Sequence, residues 1–473
     1  MFSVSHPSPT SQAVSHIPHI DIEDGNRYFE LFRSKTSVDC LTHTSDVESI
    51  RLLLLQAGVV RPSIRYALAA LGALEKVSEM APALPYDDHW GTCSKHHRNA
   101  LRLYNRAITY MKNDASSGEQ DLRTTLMTCL LIICFEAWTG NRVLAIKQMQ
   151  TGAGLVQAYR GENSGSRSKS GSSIPGIEEN LVRVFAHFTT QVVSMTSSEE
   201  RSPVCHDVLR NDVQDCLSRM PTKFTSIKVA TEYKSVIMRY ATYLLGTSLQ
   251  KPPPPSFETV PPFSGDRYVH PSAVPNWDRH IAYVKQWLNA FKGLSKTLHA
   301  QGGNSMFESA IIKMHINMIY IYLIGALANN EMVYDDYFGE LQEIVDLADM
   351  VVSLRGKNSK AATYTFENGL IASLQFAAQK CRYSVTRRKA IELLLTYPRR
   401  EGLWDSTFAG KMMEWAVDIE EEYMENGSIP GWARITGIAK SENLQQRTAT
   451  LKCRQRTSET STVYVAREKV ICW

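Results

Sequence analysis

The sequence predicts an all-α protein: a multi-helix bundle of antiparallel helices with a small C-terminal β hairpin or three-strand tail. Three observations predict it. Apolar residues recur at steps of three and four in segment after segment, which places each set on one face of a helix. Pro and Gly fall at the boundaries of those segments, where helices start and stop. From residue 431 onward the pattern changes to alternating Val, Ile, Thr and Tyr, the period of a strand.

The helices follow in order. Over 62–80 the apolar face is Ile64, Ala67, Leu68, Leu71 and Leu74, and over 96–112 it is Ala100, Leu103, Tyr104, Ala107, Ile108 and Met111. Over 121–138 it is Leu122, Leu126, Cys129, Leu130, Ile133 and Cys134, and over 141–160 it is Ala145, Met149, Gly152, Leu155, Val156 and Tyr159. Pro62 stands in a first turn, and Gly140 and Gly161 stand just past helix ends. The same spacing predicts helices over 178–195, 224–250, 277–300, 304–329, 335–355, 361–380, 385–396 and 406–424. Strands are expected over 433–438, 448–454 and 462–473.

Composition divides the chain. Residues 1–24 are rich in Ser, Pro and His and read as a disordered lead-in. A first helical half spans 25–160, and 161–176 is a Gly/Ser-rich linker. Connecting helices fill 177–250. The prolines of 251–275 favour extended backbone and exclude helix. A second helical half spans 276–430, and 431–473 is a basic β tail with eight basic and three acidic residues.

Several functions lose support at this level. The formal net charge of +4 on 473 residues is too weak to argue for nucleic acid by bulk charge. Nine cysteines with no Cys-x-x-Cys pair suit a reducing compartment rather than a disulfide scaffold. The start lacks the basic and apolar regions of a secretory signal. Residues 126–135 are half a membrane span, and 311–328 are interrupted by Lys313, His315 and Asn317, so both read as buried helices. No zinc-protease helix motif, phosphate loop or nucleophile elbow is present. Gly152 and Gly154 lie inside a helical pattern and read as close packing.

The candidate chemistry is thin. Asp335 and Asp336 are carboxylates that would suit magnesium on a helix facing a diphosphate. They also stand where a helix is expected to begin, where acidic groups are favoured by the dipole, and no second acidic cluster follows. His96 and His97 are adjacent and project about 100° apart, so they do not share a ligand. His315 reads as a satisfied core histidine, and Asp87, Asp88 and His89 precede Trp90 in a loop without matching ligands. No catalytic residue, metal ligand or cofactor is expected.

A connected signature lies near the end: Lys380-Cys381-Arg382, Arg387-Arg388-Lys389-Ala390-Ile391, and Pro398-Arg399-Arg400-Glu401-Gly402-Leu403-Trp404-Asp405-Ser406, followed by Trp415 and Glu420–Glu422. Earlier segments keep the same order: Tyr28-Phe29, Leu53-Leu54-Leu55, Pro62 to Leu74, Tyr104 to Ile108 and Cys129 to Glu136. Together, over 25–440, they resemble the helical regulatory region of fungal binuclear-zinc-cluster transcription factors. The residues carry a physical reading of their own. Pro398 stops a helix, Leu403 and Trp404 anchor the next one, and Arg387 to Lys389 are placed to pair with Glu420 to Glu422.

The chain departs from that family in its cysteines. A binuclear cluster needs six thiolates within about thirty residues, and here no window of that length holds more than two cysteines, with none in 1–27. The resemblance therefore implies a nuclear transcription-regulator-like protein in which direct DNA binding is doubtful. It would act through protein partners, the transcription machinery or a DNA-binding partner, within a fungal secondary-metabolite programme. A small-molecule effector between the helices and a homodimer fit the same reading, and no membrane is involved. Its rivals are a metal-dependent helical enzyme using Asp335 and Asp336, and a non-catalytic accessory or scaffold protein.

Overall fold

The computed structural model describes residues 19–37, 47–80, 95–117, 121–162, 179–196, 202–210, 213–250, 268–328, 330–354, 363–365, 369–435, 437–443, 446–461 and 463–473. The linker expected from 161 begins no earlier than 163, since Gly161 and Glu162 are the last residues of the helix Arg142–Glu162; residues 163–176, the Asp87–Trp90 loop and most of the lead-in and of the proline-rich segment lie outside the described residues. What is described is all-α, with small strands.

The first core is built around the Pro62–Met80 helix. Helices Gly25–Leu31, Val47–Val60, Lys95–Ser117 and Leu122–Thr139 all pack on it. The run from Ile64 to Leu74 is buried throughout, because its alanines and Gly72 let neighbours approach on every side. A Cβ on Gly72 would overlap the Tyr28 carbonyl. Leu122–Thr139 is also buried nearly all round, as an apolar helix without a polar face must be. The Asp121 carboxylate accepts the Thr124 N–H at 2.7 Å to start it, and Gly140 at φ 86° ends it. Arg142–Glu162 and Glu179–Met195 complete this layer, and Gly152 is the point of closest approach, since a Cβ there would overlap the Phe185 ring.

Two further cores share one helix. Gly303–Leu327 turns Ile312, Ile316, Ile319 and Leu323 toward Ile227–Thr247 and Val274–Gln301, where Trp277, Trp287 and Phe291 are buried. It turns Ile311, Met314 and Ile321 toward Phe338–Leu354, Ile371–Lys380, Ser384–Thr396 and Ser406–Glu421. This explains why it, like Leu122–Thr139, is long and apolar enough to cross a membrane by length and composition alone.

The strands form three small sheets. Leu249–Gln250 pairs with Tyr268–Val269. Thr363–Thr365 runs parallel to Arg399–Glu401, which pairs antiparallel with Trp404–Asp405. The last sheet is antiparallel, in the order Ala439–Asn443, Thr448–Arg456, Tyr464–Cys472. Ala449, Leu451 and Cys453 of its central strand are buried in the C-terminal core.

The sequence misplaces several local features. The helix expected over 224–250 spans Ile227–Thr247, because Leu249–Gln250 is a strand paired with Tyr268–Val269. The helix expected over 361–380 is a strand at Thr363–Thr365 and a helix only from Ile371, because the strand pairs with Arg399–Glu401 far along the chain. The prolines expected to exclude helix to 275 instead open it. Pro271 begins a 3-10 turn and Pro275 stands in the first turn of Val274–Gln301, where no N–H is needed. Asp335 and Asp336 belong to a 3-10 turn, Glu331–Tyr337, and the α-helix begins at Phe338. The strand expected over 433–438 starts at Ala439, because the Ile435 N–H is taken by the Glu420 carboxylate at 2.9 Å instead of a neighbouring strand.

Candidate functional site

The Pro398–Ser406 signature is where distant parts of the chain are tied together. Each polar residue in it closes a helix end or fixes a turn. Arg400 donates to the carbonyls of Ala137 and Trp138 at 3.4 and 3.0 Å, at the C-terminus of Leu122–Thr139. A cation is favoured there by unsatisfied carbonyls and by the helix dipole. Glu401 accepts the N–H groups of Gly369, Leu370 and Ile371, each at 2.9 Å, and so caps Ile371–Lys380 from outside that helix. Asp405 accepts the Phe408 N–H at 3.1 Å and starts Ser406–Glu421. Ser406 Oγ accepts the Arg399 N–H at 2.9 Å.

Gly402 makes the turn possible. Its φ is 55°, its N–H donates to Thr365 at 2.7 Å, and a Cβ there would overlap the Gln191 side chain. Gln191, wholly buried, accepts the next N–H, that of Leu403, at 3.2 Å. Leu403 then inserts into the first core, together with Tyr364, whose ring stacks on Trp138 at 5.1 Å. The C-terminal sheet joins the same clasp. Arg400 and Arg447 flank Asp405 at 3.2 and 3.5 Å, and Arg142 pairs with Glu442. Burial raises the Glu442 carboxyl, but Lys440 and Arg142 overcome it and hold it below the usual range.

A second set of charges is buried beneath the signature. Glu420 accepts from Arg387 at 2.6 Å, lies 3.2 Å from Arg382, and accepts the Ile435 N–H. Glu331 takes Lys380 at 2.8 Å and Arg382 at 3.1 Å, with Lys380 also 4.6 Å above the Tyr334 ring. Burial alone would push the Glu420 carboxyl up; Arg382 and Arg387 reverse that and keep it ionised below the usual range. Burial lowers Lys380, which Glu331 only partly offsets.

The pairing expected between Arg387–Lys389 and Glu420–Glu422 is found for two of the three. Arg387 meets Glu420, and Arg388 meets Glu421 and, at 3.2 Å, Asp418. Lys389 instead reaches Glu392 and Asp349 at 3.3 and 3.5 Å, and Glu422 pairs with Arg467 of the tail sheet at 2.7 Å.

Asp335, a candidate magnesium ligand by sequence, is held bidentately by the buried Arg434 at 2.9 and 2.6 Å. A guanidinium in that fork occupies the oxygens a hard cation would need. Among the described residues no three of His, Cys, Asp and Glu stand together as metal ligands. His96 hydrogen-bonds Tyr28 at 2.7 Å. His315 is a satisfied core histidine, 2.8 Å from the Gly369 carbonyl. Glu331, Asp335 and Glu420 are each held by buried cations, an arrangement that holds helices in register.

Gln191, Glu331 and Arg434 are given no such role by the sequence, and Glu401 enters it only as a member of the Pro398–Ser406 signature, without a stated role.

No curated protein and no solved structure matches the chain. The Pro398–Ser406 clasp and the charges beneath it lie beyond the span that a family model covers, whereas their partners Trp138 and Gln191 lie within it. That model is the fungal specific transcription factor domain, and over residues 27–223 the chain matches it, consistent with the regulatory region of fungal transcription factors.

Proposed function

We propose that the protein is a nuclear transcription regulator whose helical body works through protein partners. The observation that carries this reading is the match of residues 27–223 to the fungal specific transcription factor domain. Two features of the chain support the reliance on partners. No two of its cysteines form a Cys-x-x-Cys and no six fall within about thirty residues, the spacing that six thiolates need to hold two zinc ions. Its conspicuous charged groups are consumed in ion pairs that clasp helices together. The helical body is then a non-catalytic docking platform, serving a secondary-metabolite programme.

The test is imaging of the tagged full-length chain together with transcript profiling of a deletion strain. Nuclear accumulation and a coherent set of changed transcripts are expected. Exclusion from the nucleus with unchanged transcripts would replace this reading with that of a biosynthetic accessory protein.

A further inference from the structure

The C-terminal sheet carries the whole charge excess of the chain. Residues 439–473 hold seven basic residues against three acidic ones, a surplus equal to the net +4 of all 473 residues. The sheet is also open on one side. Tyr464–Cys472 pairs along its full nine residues with Thr448–Arg456, and among the described residues no strand pairs with its other edge. Proteins usually shorten, cover or charge such an edge. Here it is long, and it exposes Val463, Tyr464, Val465 and Val470 at 61%, 54%, 45% and 62%.

The edge has two rows of side chains, since alternate residues face opposite ways. One row carries Arg467 and Lys469, in register with Cys453 and Leu451 of the buried face. Arg467 is paired with Glu422, whereas Lys469 meets no carboxylate among the described residues. The other row carries Tyr464 and Val470, with Glu468 already paired to Lys452 at 2.9 Å. Arg454 lies 5.7 Å from the centre of the Tyr464 ring. One row thus places two cations between Val465 and the buried Ile471, and the other is apolar apart from the paired Glu468.

We propose that this edge receives an extended acidic segment of a partner protein by strand addition, with acidic residues on the row beside Arg467 and Lys469 and apolar residues beside Tyr464 and Val470. A second copy of the chain fits less well. Antiparallel self-pairing centred on Glu468 sets Arg467 opposite Lys469, like charge against like. Nucleic acid fits less well too, because phosphates gain nothing from the exposed valines and Lys440, Arg447, Lys452 and Arg467 are already paired with carboxylates.

The proposal adds a partner class to the regulatory reading but stands on the sheet alone, and its test is independent of localisation and transcripts. The probe is a fluorescein-labelled Glu-Val-Glu-Val-Glu-Val-Glu peptide, titrated against the full-length chain by anisotropy. It is expected to bind, and more weakly as salt rises. A peptide of the same charge, N-methylated at every residue so that neither of its edges can pair as a strand, is expected to lose about tenfold or more. The variants Lys469→Glu and Val470→Lys should weaken binding of the unmethylated peptide by about as much, with thermal midpoints unchanged. Three results would overturn the proposal: no binding of the acidic peptide, equal binding of its N-methylated form, or tighter binding of a short DNA duplex.

Discussion

The Arg400 guanidinium donates to the Trp138 carbonyl at 3.0 Å across 262 positions of sequence. The end of one helix is thus closed by a turn formed near the opposite end of the chain. The neighbouring Glu401 does the converse job, accepting the first N–H groups of Ile371–Lys380.

Replacing Glu401 tests whether that remote cap stabilises the fold. Glu401→Gln removes the charge and presents an amide donor to three N–H donors. Urea denaturation should show a loss of about 1–3 kcal/mol, the usual cost of leaving buried polar groups unsatisfied. An unchanged midpoint would mean that water already satisfies the helix start.

The Glu420 pairs are expected to be more sensitive. Glu420→Ala strands Arg382 and Arg387 in the interior, and a loss of about 3–5 kcal/mol is expected. Adding Arg387→Met should recover part of it. A double-mutant cycle in denaturant checks this, and strict additivity would show that the two residues act separately.

Gly72 gives a prediction whose sign is opposite to helix propensity. Alanine in mid-helix is normally better than glycine by about 1 kcal/mol. At Gly72 the new methyl would overlap the Tyr28 carbonyl, which is backbone and cannot swing aside. Gly72→Ala should therefore lower the thermal midpoint, whereas Gly154→Ala, which meets nothing within 4 Å, should hold or raise it.

Acid should destabilise the protein before its carboxylates titrate. Burial lowers His315 from 6.5 to about 3 and His280 from 6.5 to about 4. The unfolded chain therefore binds more protons than the folded one below 6.5. Stability is complete above that pH and falls as pH drops toward the folded values, by about 1.4 kcal/mol per pH unit for each fully depressed histidine. The native Glu420 carboxyl lies below its ordinary 4.5, so its contribution is lost only at lower pH. Thermal midpoints between pH 6.5 and 5 should fall in the native chain and fall less in His315→Gln.

Asp335 and Asp336 differ in what they hold. Asp335→Ala leaves the buried Arg434 without its carboxylate and should lower stability, whereas Asp336→Ala should be close to neutral. Calorimetric titration with magnesium should show no binding that either substitution removes. Stoichiometric magnesium lost on substitution would revive the enzyme reading.

Much of this architecture was legible because helix period and punctuation are local. The 62–80 helix is seen in the structure with the bounds read from its apolar spacing, and the Arg387–Glu420 pair followed from two helices in sequence. What failed was set by distant partners. Thr363–Thr365 is a strand because Arg399–Glu401 lies beside it. Glu401, Gln191 and Arg434 matter through backbone groups or side chains 30 to 212 positions away, which no spacing rule encodes. Short helices such as Val204–Arg210 offer too few turns for a period to show.

Leu403 and Tyr364 sit in the same hydrophobic cluster as Trp138 and Phe188. The span matched over 27–223 therefore does not close its own core. A recombinant fragment cut at 223 would bare the sockets for both side chains and leave the Trp138 carbonyl uncapped, so it should precipitate or bind a hydrophobic dye. A separately supplied C-terminal fragment should rescue it by complementation.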